Sequence, residues 1–166
     1  MTSPEVRRAT EADLDDITRI YDQYIVGSPV SFDLEPWSRE RRRAWWAEHQ
    51  GDPRLVVLVA EDAGEVVGTA YSSRYRPKAG YDRSPETSIV LDGGHVGRGL
   101  GTVLYQALLD ELAEAGAHRA YAVVTIPNEA SVGLHHKLGF RDVGVEDECG
   151  WKLGRYWSTL TLEKRF

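Results

Sequence analysis

The 166-residue sequence predicts a single α/β domain, residues 1–166, built on a mixed sheet. Apolar stretches of strand length and amphipathic stretches of helix length alternate along the chain. Asp62-Ala63-Gly64 joins two strands as an antiparallel hairpin. A later strand, Glu86 to Leu91, instead leads through Gly97-Arg98-Gly99-Leu100-Gly101-Thr102 into a long helix. No repeat, low-complexity tract or linker divides these elements.

Val6 to Ala9 reads as a short strand, and Thr10 as the N-cap of a helix whose first turn is acidic. Leu14, Ile17, Tyr21, Tyr24 and Ile25 recur at three- and four-residue steps, and Gly27-Ser28-Pro29 ends that helix. After the irregular Val30 to Pro36, a second helix is expected from Ser38 to Gln50, stopped by Gly51-Asp52-Pro53. Its Arg39, Arg41, Arg42 and Arg43 alternate with Glu40 and Glu48, the pattern of a solvated face. Trp37, Trp45 and Trp46 read as core. Leu55–Glu61 and Glu65–Tyr75 are the hairpin strands, and Arg76 to Asp82 is a loop with basic and aromatic members.

The helix after the glycine turn presents Leu100, Val103, Leu104, Ala107, Leu108, Leu112 and Ala115 as one face, with Gly116 as its stop. Ala120 to Thr125 is a buried strand; Pro127-Asn128 opens a fourth helix, which runs through Leu138 and closes at Gly139. Strands Phe140–Glu146 and Arg155–Lys164 flank a Gly150-Trp151-Lys152-Leu153-Gly154 turn.

Hydrophobic content of 42% and charged content of 28% describe a chain that can build a core. A net charge of -6 argues against a non-specific nucleic-acid binder and against an anionic-membrane partner. Cys149, the single cysteine, offers neither an internal disulfide nor a metal cluster, so no metal is expected. The first residues lack a basic-then-apolar pattern, and the longest aliphatic run, Leu55 to Ala60, is too short to span a bilayer. These features predict a cytoplasmic protein.

The glycine turn opens a helix, where unpaired N–H groups and the positive end of the dipole favour an anion. It lacks the lysine of a Walker A loop. It also lacks the third-glycine spacing of a dinucleotide fingerprint, and the strands before it form a meander rather than a βαβ series. An acyl-CoA pyrophosphate turn remains, with Gly99 and Gly101 admitting phosphate to the backbone; the alternative is a connection that merely turns the chain.

The order of elements around Gly97–Thr102 resembles the GNAT superfamily of acetyl-CoA-dependent N-acetyltransferases, and more narrowly the phosphinothricin N-acetyltransferase family. The likeness runs from Val6-Arg7-Arg8-Ala9-Thr10 to the last strand. It is carried best by Pro127 to Phe140 and by Gly150 to Trp157, with Glu86-Thr87-Ser88 and Ser28-Pro29-Val30-Ser31-Phe32 also matching. The resemblance implies a mixed sheet of six to seven strands, splayed between the fourth and fifth and flanked by about four helices.

It also implies roles. Near neutral pH an α-amine, with a pKa of about 7.7–8.0, is mostly protonated and must lose a proton to attack. Glu86 stands at the family's base position, acting through water, and His135 where the proton donor to the thiolate stands; His136 is turned about 100° away on the helix. Acetyl-CoA would be held by Gly97, Arg98, Gly99, Leu100, Gly101 and Thr102, by backbone groups of Ile89, Val90 and Leu91, and by Asn128 and Ser131. An acceptor of amino-acid type would need an anion clamp, for which Arg74, Arg76 and Lys78 are candidates, with Tyr81 and Phe32 as apolar walls.

The family's turn begins with Arg or Gln where this chain has Val96, which cannot hydrogen-bond a phosphate; His95 or Arg98 is the expected compensation, and weakened acetyl-CoA affinity the largest expected cost. Trp151 and Trp157 are candidates for a homodimer contact. The activity implied is acetylation of a small amino acid such as phosphinothricin or methionine sulfoximine. Another small amine, a protein N-terminus, or acyl-CoA binding without turnover are the alternatives.

Overall fold

The computed structural model describes residues 4–166. Its strands are β1 (Glu5–Arg8), β2 (Val57–Asp62), β3 (Glu65–Ser73), β4 (Glu86–Leu91), β5 (Arg119–Ile126), β6 (Arg141–Lys152) and β7 (Arg155–Arg165). Its α-helices are α1 (Leu14–Gly27), α2 (Arg39–Glu48), α3 (Leu100–Glu114) and α4 (Glu129–Lys137). The strands form one mixed sheet in the order β1-β2-β3-β4-β5-β7-β6. The first four are an antiparallel meander, and β4 and β5 are the parallel pair. This is the architecture the sequence predicts.

Local chemistry sets the element ends. Asp13 accepts the Thr10 N–H at 2.7 Å, fixing the entry to a short 3₁₀ turn ahead of α1. The Ser38 hydroxyl oxygen accepts the Arg41 N–H at 3.2 Å and caps α2. The β2–β3 turn places both Ala63 and Gly64 at positive φ, the geometry that matches hairpin twist. Strand β2 is buried on both faces. Leu58 and Ala60 join the cluster with Leu104, Leu108 and Leu112 of α3, whereas Val57 and Val59 join Ile17 and Ile20 of α1 and Trp45 of α2.

Three local expectations are corrected. Val103 is exposed (58%), and Tyr105 and Leu109 occupy the buried face of α3 beside Leu104 and Leu108. Of the four arginines on α2, Arg42 is buried at 3% exposure, because it lies on the same helical face as Trp45 and His49. Finally, β6 does not stop at Glu146. A register shift between Glu146 and Gly150 absorbs the polar residues, and pairing resumes at Gly150↔Trp157 and Trp151↔Tyr156. The Trp151 and Tyr156 rings meet edge-on at 4.8 Å, and the turn shrinks to Leu153-Gly154, both at positive φ.

Candidate active site

Strands β4 and β5 share a single register pair, Glu86↔Tyr121, at the start of β4. Beyond it they diverge into a V whose open end lies at Leu91 and Ile126. The glycine turn leaves one arm of the V and α4 leaves the other. Both helices therefore begin where the sheet is open, as at the carboxyl-end crevice of α/β sheets.

The glycine turn has the form of an anion cradle. Gly97 and Gly99 have φ of +81° and +80°, and nothing lies within 4 Å of where their Cβ atoms would be. A side chain at either position would be strained and would stand where a ligand approaches. Leu100 itself is buried, so its backbone faces the turn while its side chain anchors α3. Thr102 accepts a hydrogen bond from Lys137 Nζ at 3.3 Å, which brings a cation to the same helix end. Val96 is half exposed and lines an apolar groove of about 350 Å³ with Ile89, Val90, Leu91, Asn128 and Ser131. His95 does not reach that groove. It sits between Asp62 and Asp92, each 3.7 Å away. Arg98 is exposed and lines a separate cavity with His95 and Val103.

The groove continues into a second cavity of about 220 Å³, with Tyr24, Val30, Ile89, Val90, Asn128 and Ser131 common to both. Asn128 Oδ1 accepts the Ser131 N–H at 3.1 Å and caps α4, which leaves its amide nitrogen free among the described residues. Glu86 lines the inner cavity, half-buried, and burial alone pushes its carboxyl above the usual carboxylate range. A carboxylate so placed is a stronger base than one in water.

His135 lines the cavity too, but it is 3% exposed and both ring nitrogens are engaged. Nδ1 lies 2.7 Å from the Ser131 carbonyl and Nε2 3.1 Å from the Tyr105 hydroxyl. Tyr105 is fully buried and also lies 2.7 Å from Thr87 Oγ1, which donates to the Tyr121 carbonyl at 3.0 Å. A hydrogen-bonded chain thus ties α4, α3, β4 and β5 together behind Glu86. Desolvation lowers the His135 pKa and favours its neutral ring. Tyr105 is absent from the apolar face expected of α3, although it falls at helical spacing with Leu108 and Leu112, a signal for its burial; its hydrogen-bonding role comes from tertiary contact. His136, by contrast, pairs with Asp142 on the surface at 2.7 Å.

The acceptor residues expected from sequence are not brought to this cavity. Arg74 pairs with Asp82 at 3.0 Å. Arg76 stacks on Tyr75 and Tyr81, at 4.9 and 5.2 Å from their ring centres. Lys78 is exposed, and Tyr81 packs edge-on against Tyr75. Phe32 lies against Gly150, where any Cβ would collide with its ring. Its neighbour Ser31 does line the cavity, and the Ser31 carbonyl accepts a hydrogen bond from the buried Lys152 of β6. The cavity wall instead includes Tyr21, Asp33, Trp37, Arg42 and Tyr71.

Comparison with known proteins agrees with this geometry. The family model described as "Acetyltransferase (GNAT) family" matches residues 15–140. A phosphinothricin N-acetyltransferase of Streptomyces coelicolor is 44% identical over 96% of this chain and 95% of its own. An L-methionine sulfoximine/L-methionine sulfone acetyltransferase of Pseudomonas paraeruginosa is 36% identical over 96% and 92%. Among solved structures, a GNAT superfamily phosphinothricin acetyltransferase from Sinorhizobium meliloti, in complex with acetyl-CoA, superposes with a TM-score of 0.94 at 28% identity, covering 99% of this chain and 89% of its own. With a splayed parallel pair, a glycine cradle on one lip and a capped helix on the other, this chain belongs to the GNAT acetyltransferase family and resembles its phosphinothricin N-acetyltransferases.

Proposed function

We propose that this enzyme transfers the acetyl group of acetyl-CoA to the amino group of a small amino acid of the phosphinothricin or methionine sulfoximine type. The observation that carries this reading is Glu86, a half-buried carboxylate raised by burial, on a cavity continuous with the groove beside the glycine cradle. The acceptor class is supported by relatives named for phosphinothricin and for methionine sulfoximine. The residues fit acetyl-CoA: the turn Gly97 to Thr102 would hold its pyrophosphate, and Ile89, Val90, Leu91, Asn128 and Ser131 its arm. Bound there, acetyl-CoA supplies an acetyl group activated as a thioester.

Glu86 removes a proton from the acceptor ammonium, directly or through water, and its raised pKa brings it nearer to that of the amine. Backbone groups of β4 orient the thioester carbonyl. His135 would protonate the departing thiolate only as its imidazolium. Nδ1 donates to the Ser131 carbonyl, so Nε2 would first have to gain a proton and leave Tyr105 before it could donate to the sulfur. The chain works as one domain, in the cytoplasm, as a homodimer. The dimer is supported by the apolar surface of the β6–β7 hairpin, where Val143, Val145, Trp151, Leu153 and Tyr156 are each more than half exposed on the sheet's edge pair.

Release of free thiol from acetyl-CoA against a panel of amino acids tests the reading. Wild-type protein is expected to turn over phosphinothricin or methionine sulfoximine, and Glu86→Gln to lose about 10²–10⁴-fold in kcat while still binding acetyl-CoA. No thiol release above background across the panel would refute the assignment.

A further inference from the structure

Arg42 occupies an unusual position for a guanidinium. It is 3% exposed and lines the same cavity as Glu86. Its Nε donates to Thr18 Oγ1 at 3.1 Å, and that hydroxyl is itself spent on the Leu14 carbonyl at 2.8 Å. Its charge lies over the rings of Trp37, Trp45 and Tyr21, at 4.2, 5.0 and 5.1 Å. Among the described residues it has no ion-pair partner, and its two terminal nitrogens have no hydrogen bond.

The neighbouring arginines make the contrast. Arg19, Arg39 and Arg41 are all partly or largely exposed, and each is paired with an aspartate. Arg43 is unpaired as well but exposed, so water solvates its charge; Arg42 is the one of these arginines that is both buried and unpaired among the described residues. Burying an uncompensated cation is unfavourable, and aromatic faces offset only part of that cost. Asp22 and Asp33 favour its charge from a distance. Asp33 is already committed, accepting from Arg41 at 3.0 Å and from Trp37 Nε1 at 2.9 Å. Those bonds also hold Trp37 in place, sandwiched between Arg41 and Arg42, so the guanidinium is fixed before any ligand arrives.

We propose that Arg42 is the anion-binding group of the acceptor cavity, and that it holds a carboxylate or phosphinate of the acceptor. The proposal rests on the amino-acid-acceptor reading above and adds a specificity residue to it. The cavity then offers Glu86 for the acceptor's ammonium and Arg42 for its acid, with the third charged wall residue, Asp33, tied to Arg41 and Trp37, in a space of about 220 Å³ suited to a small amino acid. A guanidinium with both terminal nitrogens free presents a fork that matches either acid.

The test measures binding of L-methionine sulfoximine, its carboxamide and phosphinothricin to wild-type, Arg42→Gln and Arg42→Lys proteins by calorimetry, with acetyl-CoA binding as the check on folding. Arg42→Gln is expected to weaken the acids by about 10- to 100-fold and to leave the carboxamide within about twofold, with Arg42→Lys intermediate. Equal loss for methionine sulfoximine and phosphinothricin identifies the carboxylate as the group held; loss confined to phosphinothricin identifies the phosphinate. Equal weakening of acid and carboxamide, or no weakening, overturns the proposal. So does a wild-type protein that binds neither acid, even if thiol release with another amine upholds acetyl transfer. If Arg42→Gln fails to bind acetyl-CoA, Arg42→Lys decides: selective loss of the acids supports the proposal, and unchanged or unselective binding overturns it.

Discussion

Against one face of the sheet α3 lays Leu104, Leu108 and Leu112; against the other, α1 and α2 lay Ile17 and Trp45 together with Arg42 and His49. The first face is almost wholly aliphatic and interdigitates without needing polar partners. The second buries a guanidinium and an imidazole, and both His49 ring nitrogens lie against backbone carbonyls, of Trp45 at 2.6 Å and Ser72 at 2.9 Å. Aliphatic packing is tolerant in direction and strong in sum, whereas buried polar groups fix orientation and cost stability when mismatched. The α3 face therefore carries the weight of the fold, and the α1–α2 face shapes the cavity proposed to take the acceptor.

That division can be broken by substitution. The largest expected effect is at Leu108, fully buried under α3. Leu108→Ala should lower unfolding free energy by about 2–5 kcal/mol in urea titration and leave acceptor KM unchanged below the unfolding range. A change in KM as large as the stability loss would mean that the two faces are not separable. Tyr105 and the His135 ring packed against it are the polar exceptions on the aliphatic face, and Tyr105→Phe sharpens the comparison. Removing the Tyr105 hydroxyl leaves His135 Nε2 without its partner and Thr87 with only the Tyr121 carbonyl, and a loss of about 1–3 kcal/mol is expected in the same titration. A neutral result would show that the chain behind Glu86 is not held together by that hydroxyl.

The smallest effect belongs to Asp13, at the margin of the α1 face. The Arg7 guanidinium holds its carboxyl down at about 2, against an ordinary value of 3.8. A depressed carboxylate contributes stability that is full above its unfolded value and fades as pH falls through 3.8 toward about 2. Arg7 is partly exposed, so solvent screening limits the contribution to about 1 kcal/mol. The wild-type minus Asp13→Asn difference in urea midpoint should be present at pH 5 and should shrink at pH 2.5. An unchanged difference at the two pH values would remove the Arg7 pair from the stability of that margin.

Much of this was legible in sequence because it follows from local rules. Strand and helix periods, the Gly99 turn and the Asn128 cap are written in consecutive residues, and the strand–turn–helix order places Glu86, Asn128 and Ser131 around one opening. Gly101, expected beside Gly99 in the cradle, instead lies buried within α3 against Leu91 and Leu134, and Gly97 takes the second positive φ. What stayed hidden depends on contacts between distant segments. Arg42 shares a helical face with Trp45 and His49, yet four neighbouring charges read as a solvated surface, and only the aromatic shell from α1 and the following loop makes it an inside residue. Tyr105 follows the apolar Leu104 and gains its meaning from Thr87 and His135, which lie 18 and 30 residues away. The second half of β6 was masked by a polar run that the register shift beyond Glu146 takes up.

The contacts of Phe32 with Gly150 and of Lys152 with Ser31 carry a consequence for how acceptor preference changes. Ser31 is cavity wall, but its position is set by a hairpin 121 residues away that the acceptor does not line. Any side chain at Gly150 must push the Phe32 ring aside and drag the wall with it. On the proposed reading, substrate range can therefore drift through replacements in the hairpin alone, while Glu86, the glycine turn and the chemistry proposed for them stay untouched.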